Sequence, residues 1–530
     1  MKLGKAFAIL VLMGVLSLGL ASLAWAQSGN ADSLVIAEFE EPDTLDPNVT
    51  GMIESLRILE FITEPLVTLD KQLEPVALLA QSWEWSKDEK EITFTLKDGI
   101  EFHDGTLLDT EAVRLSLDRF RNLSSMAYML DAVEQIVIHD GRTFSLKLKE
   151  KAPNLLYNLA DGHISILSPK MLAERTNEEI GKQVLIGTGP YKLSQWIHGD
   201  RLILEKFTGY QHGPDFIGNV GPAYMDEIVF RIIPEGSVRV AELVSGEVDL
   251  TWNVPTVSVD RLQSEPGINL EIAPTYSVQY LAPNSTRSGL DDDAVRVAIA
   301  LAIDKQALLN VAWDGIGAVA YGPINEAIIG YWDGVETLGY SYKPDQAKEL
   351  LEKAGWVDSN GDGVREKDGT DLRFTLLTAT APESRVRGAT MVQQMLSKVG
   401  IKVEIETLEF GTAFSKAKEG NQDMVIFGNT WWFGPDFLKY TNYSSLPTNF
   451  GRITNQLLDF FLDKSVSATS YDEMQQAMAK VQALILEGAG FIPLISEAQI
   501  IAATSEVKGL DQLVTHPWWP SLMKALVLDK

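Results

Sequence analysis

The stretch Met424-Val425-Ile426-Phe427-Gly428-Asn429-Thr430-Trp431-Trp432-Phe433-Gly434-Pro435-Asp436 sets four consecutive apolar residues ahead of a short polar turn, three aromatic rings and a Gly-Pro break. A continuous apolar run of this length suits a strand buried on both faces. Upstream of it, Ile401-Lys402-Val403-Glu404-Ile405 alternates as a half-buried strand does. Helical periodicity surrounds these strands. Val295, Ala298, Ile299 and Ala302 line one stripe; Pro344 opens a second helix with Ala347, Leu350, Leu351 and Ala354 on its inner face, and Gly355 closes it. Ser470 and Glu473 form a capping box ahead of Met474, Ala477, Met478, Val481, Leu484 and Ile485, with Gly488 as the stop. Helices alternating with buried strands predict an α/β domain beyond Leu281. In such sheets ligands collect outside the carboxyl ends of the strands, so Trp431, Trp432 and Phe433 are candidates for a cleft wall. Aromatic rings also simply pack in cores, and both readings stand.

The chain reads differently before Leu281. Ile92-Thr93-Phe94-Thr95-Leu96 and Thr143-Phe144-Ser145-Leu146-Lys147-Leu148 alternate with period two, and Asp98-Gly99, Asp104-Gly105 and Asp140-Gly141 punctuate them as turns. A helix with Val113, Ser116, Leu117 and Phe120 on one stripe interrupts, with Asp109 or Thr110 available as its cap. No repeats, low-complexity tracts or long linkers separate these regions, so the domains are expected to be interwoven.

A length of 530 residues supplies material for three or four domains, and 45% hydrophobic against 22% charged residues is ordinary globular composition. The 73 acidic against 45 basic residues give a net charge of −28, the wrong sign for binding a nucleic-acid backbone. Without cysteine there are no disulfides, thiolate metal sites or catalytic thiols. Lys2 and Lys5 precede an apolar run from Ala6 to Leu23, and Ala24-Trp25-Ala26 leads into polar Gln27-Ser28. That is the pattern of a secretory signal peptide cleaved after Ala26, which makes a periplasm the expected compartment.

Signals for catalysis or metal binding are poor. The six histidines are scattered, none at zinc-ligand spacing with another, and no G-x-S-x-G elbow occurs. A glycosidase-type carboxylate pair stays open in so acidic a chain. Asp358-Ser359-Asn360-Gly361-Asp362-Gly363 copies the opening of a calcium loop, but the twelfth position is Gly369 where a bidentate glutamate belongs, so a plain turn is the favoured reading.

Several motifs in fixed order carry a resemblance. Glu64-Pro65-Leu66-Val67, Leu79-Ala80-Gln81-Ser82-Trp83-Glu84 and Phe94 through Thr106 come first; Gly187-Thr188-Gly189-Pro190-Tyr191-Lys192-Leu193, Gly246-Glu247-Val248-Asp249-Leu250, Val295 through Lys305 and Val507-Lys508-Gly509-Leu510 follow. Over its whole mature length the chain resembles the family 5 solute-binding proteins of ABC transporters, extracytoplasmic receptors for dipeptides, oligopeptides, nickel chelates and other solutes. The resemblance implies an α/β fold of the periplasmic binding protein type II-like class, with two lobes joined by crossing strands plus an extra β-rich domain. The implied segments are 1–26 signal peptide, 27–64, 186–282 and 500–530 lobe I, 65–185 extra domain, and 283–499 lobe II. It also implies hinge closure on a small-molecule or peptide ligand, delivery to an ABC permease in the inner membrane, no cofactor, no enzyme activity and a monomer.

Departures from the family pattern bear on the solute. Where dipeptide receptors place an aspartate for the ligand's amino group, four residues after the position of Gly428, this chain has Trp432. The arginine for the peptide carboxylate corresponds to Arg385 or Arg387, with Arg387 aligning better. The histidine of the nickel receptors has no counterpart, Gly428 and Asn429 being nearest, which argues against nickel. Asp436, nearby in sequence, is a candidate to replace the lost aspartate, and Met52, Trp252, Asn253 and Asn284, each at a segment junction, complete the candidates. A peptide or peptide-like solute is the leading expectation. A sugar or an aromatic or acidic solute is the alternative, as is, from another class, a secreted carbohydrate-active enzyme.

Overall fold

The computed structural model describes residues 33–530 except 71–73, 153, 381, 432, 469 and 511–527. The expected signal peptide, Trp432 and most of the final expected segment therefore lie outside the described residues.

Two long strands, Ile268–Pro283 and Ile492–Thr504, run antiparallel to one another and form the spine of an eleven-stranded sheet. On one side the order continues through Leu250–Thr251, Ser33–Glu38, Glu227–Ile232, Arg201–Lys206 and Tyr191–Ile197. On the other it continues through Met424–Thr430, Arg373–Ala379 and Lys402–Leu408, while Ala318–Val319 pairs with the second long strand. Each side has a parallel core: Ser33–Glu38 lies between Glu227–Ile232 and Leu250–Thr251, and Arg373–Ala379 lies between Lys402–Leu408 and Met424–Thr430. The first long strand shifts register against its partner between Pro274 and Val278. A bulge at that point bends the spine where the two sides meet.

The apolar run of the opening stretch is buried on both faces. Val425 and Phe427 join a cluster that reaches Phe433 and Met478, whereas Met424 and Ile426 join a second one with Leu281, Ile299, Leu376 and Ile492. The flanking helices end where their caps direct. Ser470 accepts from the Glu473 N–H to start Tyr471–Leu486, and Gly488, at φ 70°, supplies the left-handed turn after it. Pro344–Lys353 likewise closes at Gly355, φ 88°.

The four-stranded sheet Ala80–Trp85, Glu91–Leu96, Thr143–Leu148, Val133–Ile138 is separate and antiparallel. Its alternation buries Ile92, Phe94 and Leu96, with Phe94 and Phe144 stacked at 5.2 Å. Helix Thr110–Leu123 covers it, capped by the Asp109 carboxylate on the Ala112 N–H. A buried polar knot joins this part to the long sheet. The fully buried Glu64 carboxylate accepts from Thr188 Oγ1 at 2.6 Å and Tyr210 Oη at 2.8 Å and lies 2.7 Å from His212 Nε2, while Lys97 Nζ donates to the His212 carbonyl at 3.0 Å. A carboxylate out of water is tolerated only with such partners.

Candidate functional site

The parallel strands of both sides run toward the bulge. Ser33–Glu38 and Leu250–Thr251 end on Glu38 and Trp252 from one direction, and Met424–Thr430 and Arg373–Ala379 end on Trp431 and Thr380 from the other. Both sets of carboxyl ends converge on Thr275, Tyr276 and Ser277, the place where α/β sheets bind ligands.

The first wall is buried charge. Helix Ile53–Leu59, which begins at the half-buried Met52, carries Arg57, whose Nη1 donates to Glu38 Oε2 at 2.9 Å. The Arg57 guanidinium also lies over the Trp252 ring, 5.7 Å from its centroid. Glu38, Arg57 and Trp252 are 0%, 2% and 2% exposed. Burial lifts the Glu54 carboxyl above its usual range, with Arg57 opposing. The Tyr276 phenol is pushed well up by burial and by Glu60 nearby, and its hydroxyl has no hydrogen-bond partner among the described residues. Asn253, at φ 54°, presents its carbonyl to Arg239 Nη2 at 3.0 Å.

The second wall is aromatic. The Trp431 N–H donates to the Tyr276 carbonyl at 3.1 Å, and its ring, part-exposed, stacks on Tyr440 at 5.6 Å and on Phe437 at 6.5 Å. Phe433 is buried against Ile329 and meets Tyr157 at 5.4 Å. Asp436 stands in the first turn of helix Gly434–Asn442. Burial raises its carboxyl to about 6, opposed by Lys439 and by a hydrogen bond with Asn154. Tyr128 is raised to about 12 by burial and by the Asp436 and Asp161 carboxylates.

Arg385 reaches the spine from the third residue of helix Glu383–Ser397. Its Nε donates to Gln279 Oε1 at 2.9 Å, burial lowers its pKa, and the Glu497 carboxylate opposes that shift. Glu497 in turn accepts from Ser277 Oγ at 2.8 Å and Trp313 Nε1 at 3.1 Å. Gly428 makes room for this arrangement: a Cβ there would sit 2.0 Å from the Gln279 amide nitrogen.

Two of the expected residues stand elsewhere. Arg387, favoured from the sequence over Arg385, points away because two residues turn an α-helix by about 200°. Its Nη2 donates to the Ala312 carbonyl at 2.6 Å and to Asp314 Oδ2 at 2.9 Å. Asn284 follows Pro283, which pairs with Met424 at the start of its strand, so it lies roughly 25 Å along the sheet from Trp431 at about 3.3 Å per residue. Fully buried, it donates to the Gln422 carbonyl at 3.1 Å and accepts from Thr286 Oγ1 at 2.7 Å, which locks a loop. Trp252 is in the wall as a buried platform for Arg57. Glu38, Arg57, Tyr276, Gln279 and Glu497 were not singled out from sequence; Glu38, at the carboxyl end of the first strand, was within reach of the strand-end rule.

The Asp358–Gly363 loop folds on itself. Asp358 accepts from the Gly361 and Gly363 N–H groups, and Asn360 from that of Asp362. Among the described residues no three His, Asp or Glu side chains come together as metal ligands would. No helix among the described residues is long and apolar enough to cross a membrane.

Comparisons with known proteins point in one direction. A family model described as bacterial extracellular solute-binding proteins, family 5 Middle, matches residues 74–451. The probable D,D-dipeptide-binding periplasmic protein DdpA of Escherichia coli K12 is 29% identical over 502 residues, covering 90% of this chain and 91% of its own length. The glutathione-binding protein GsiB of the same organism is 27% identical over 515 residues, covering 94% and 95%. The structure of the ABC transporter-associated periplasmic binding protein DppA from Helicobacter pylori, in complex with the peptide STSA, superimposes with a TM-score of 0.73 at 26% identity, covering 94% of this chain and 98% of that one.

Proposed function

This chain belongs to the bacterial extracellular solute-binding proteins of family 5, and we propose that it is the periplasmic receptor of an ABC importer for peptides or peptide-like solutes. The observation that carries this reading is the convergence of two sets of strand carboxyl ends on the bulge of a shared spine. A site assembled from two bodies joined by two strands is formed fully only when both bodies are in register with the ligand. Solute contacts to both walls favour that closed arrangement, which then docks on the membrane permease. The kinds of solute named for the similar proteins, a D,D-dipeptide, glutathione and a tetrapeptide, support the peptide class.

Residues 27–64, 186–282 and 500–530 make one lobe in this reading, residues 283–499 the other, and residues 65–185 the extra domain. A leader cleaved after Ala26 directs export. The protein works as a monomer by binding and release, without cofactor, nucleic acid or turnover. Arg385, held by Gln279 and beside Glu497, is the cation we assign to a peptide carboxylate. Trp431 is the described aromatic residue with exposed ring surface to offer a side chain, and Trp432, Phe433, Met52 and Trp252 are the further candidates. Asp436 is the carboxylate nearest these rings in sequence and faces Asn154 and Tyr128.

Thermal shift of residues 27–530 against di- to pentapeptides, oligosaccharides, organic acids and metal chelates tests the reading. A native-state ligand at a hundred times its Kd adds about 2.7 kcal/mol, so a peptide should raise the melting temperature by several degrees and remain intact after incubation. Shifts confined to sugars, or cleavage of the compound that binds, would overturn it.

A further inference from the structure

Phe433 has a second surface. Together with Trp85 and Tyr157 from the four-stranded part and Tyr471 and Met474 from helix Tyr471–Leu486, it lines a half-open cavity of about 270 Å³. None of Trp252, Tyr276, Arg385 or Trp431 lines it, so it is separate from the convergence of strand ends. The volume falls just short of the ~300 Å³ at which drug-sized ligand sites begin, which suits a single ring with a short tail and excludes an extended peptide. The lining also carries charge. Glu74 and Glu89 belong to it, Glu74 is exposed, and Asp70 Oδ1 accepts from the Glu74 N–H at 3.0 Å. Lys151 is the cation among the described lining residues, and its ammonium already donates to Glu89 at 2.7 Å. The lining thus brings aromatic rings together with the Glu74 carboxylate, the combination that attracts an organic cation to ring face and carboxylate together.

We propose that this cavity is a second binding chamber, for a small aromatic amine whose ring packs against the Tyr157–Phe433 pair and whose ammonium rests at Glu74. The local field agrees: the Glu74 carboxyl is raised by burial and by Asp70, and the Tyr157 phenol is pushed well up by burial and then by Glu74, Tyr471 and Asp70. Its two walls come from parts of the chain far apart in sequence, residues 74–157 and 433–474, so an occupant holds them together. Phe433 is two residues from Trp431, so holding these walls also favours the closed form of the neighbouring cleft. Reciprocity then requires that amine and solute raise one another's affinity.

The test uses residues 27–530 and three isosteres: phenethylamine, 2-phenylethanol and 3-phenylpropionate, followed by ligand-observed NMR and calorimetry. The amine should bind roughly tenfold tighter than the alcohol, a factor within the range of one cation–ring and carboxylate contact, and the acid weakest. Glu74→Gln should bring amine and alcohol to within about twofold of each other. Ala468→Trp, which fills the chamber from one wall, should remove binding of all three while the melting transition stays cooperative. Ala152→Phe does the same from the opposite wall if the first variant fails to fold. Absence of phenethylamine binding, equal binding of the three compounds, or amine binding that survives both filling variants would overturn the chamber. None of these readouts requires that the solute be a peptide.

Discussion

The two walls that meet at the bulge are built on opposite principles. On the side of Ser33–Glu38, an ion pair, a carboxylate and an indole are shut away from water, with Arg57 held at once by Glu38 and by the Trp252 face. On the side of Met424–Thr430, part-exposed rings stack on one another, and the charged member, Asp436, is held against its preference for water. Buried charge is rigid because every departure leaves an uncompensated ion. Stacked rings tolerate sliding and offer area at little entropic cost. In the proposed receptor, the first wall would hold shape and the second would fit the solute.

Arg57→Ala should break that division most visibly. Removing one partner of a buried pair costs about 3–5 kcal/mol, and urea unfolding should register a loss of that size; a loss under ~1 kcal/mol accompanied by failed solute binding would reverse the roles of the walls. Arg385→Ala should weaken peptide binding by about thirtyfold or more, as truncation of a buried charged contact does, whereas Arg387→Ala, on the same helix, should stay within about twofold. Calorimetry on both variants decides which arginine meets the carboxylate. Trp431→Ala should reduce affinity by about tenfold and act on binding more than on the urea midpoint, the mirror image of Arg57→Ala. The smallest effect concerns pH. Because burial raises the folded-state value of Asp436 to about 6, the group adds stability at pH below its unfolded value near 4, and this is lost as pH rises through 6. Asp436→Asn should therefore be more stable than the parent at pH 8, by on the order of 1 kcal/mol, and show a flatter stability profile between pH 4 and 7. Equal profiles would place Asp436 in water.

Local chemistry was legible from the sequence. The capping box at Ser470, the Pro344 start with its Gly355 stop, the alternation of Ile92, Phe94 and Leu96, and the doubly buried Val425–Phe427 run all depend on neighbours within a few residues. The position of Trp431 just past the end of that strand was legible too, because a strand end is marked by its own residues. What was not legible depends on phase and on distance. Arg385 and Arg387 differ only in helical phase, and alignment by counting cannot fix which of two residues on one turn faces inward. Asn284 sits at a segment junction, but at the end of the sheet away from the strand carboxyl ends, a distinction set by strand direction. Glu64, Thr188, Tyr210 and His212 meet across as many as 148 residues. The Glu38–Arg57 pair was missed because nothing near Arg57 marks it as buried.

The interleaving of the long sheet bears on how the chain comes to be folded at all. Ser33–Glu38 has one neighbour from residues 227–232 and another from 250–251, which in turn pairs with residues 502–503. The spine itself joins residues 268–281 to 492–504. Loops of this size must close before their pairing rewards them, and topologies dominated by such distant partners assemble slowly. The four-stranded sheet of residues 80–148 can zip early, from local hairpins, but the long sheet has to wait for its last strand to be synthesised. A chain that cannot complete its central layer until then keeps that layer open while it is being made, which in the proposed export would leave it able to thread a channel.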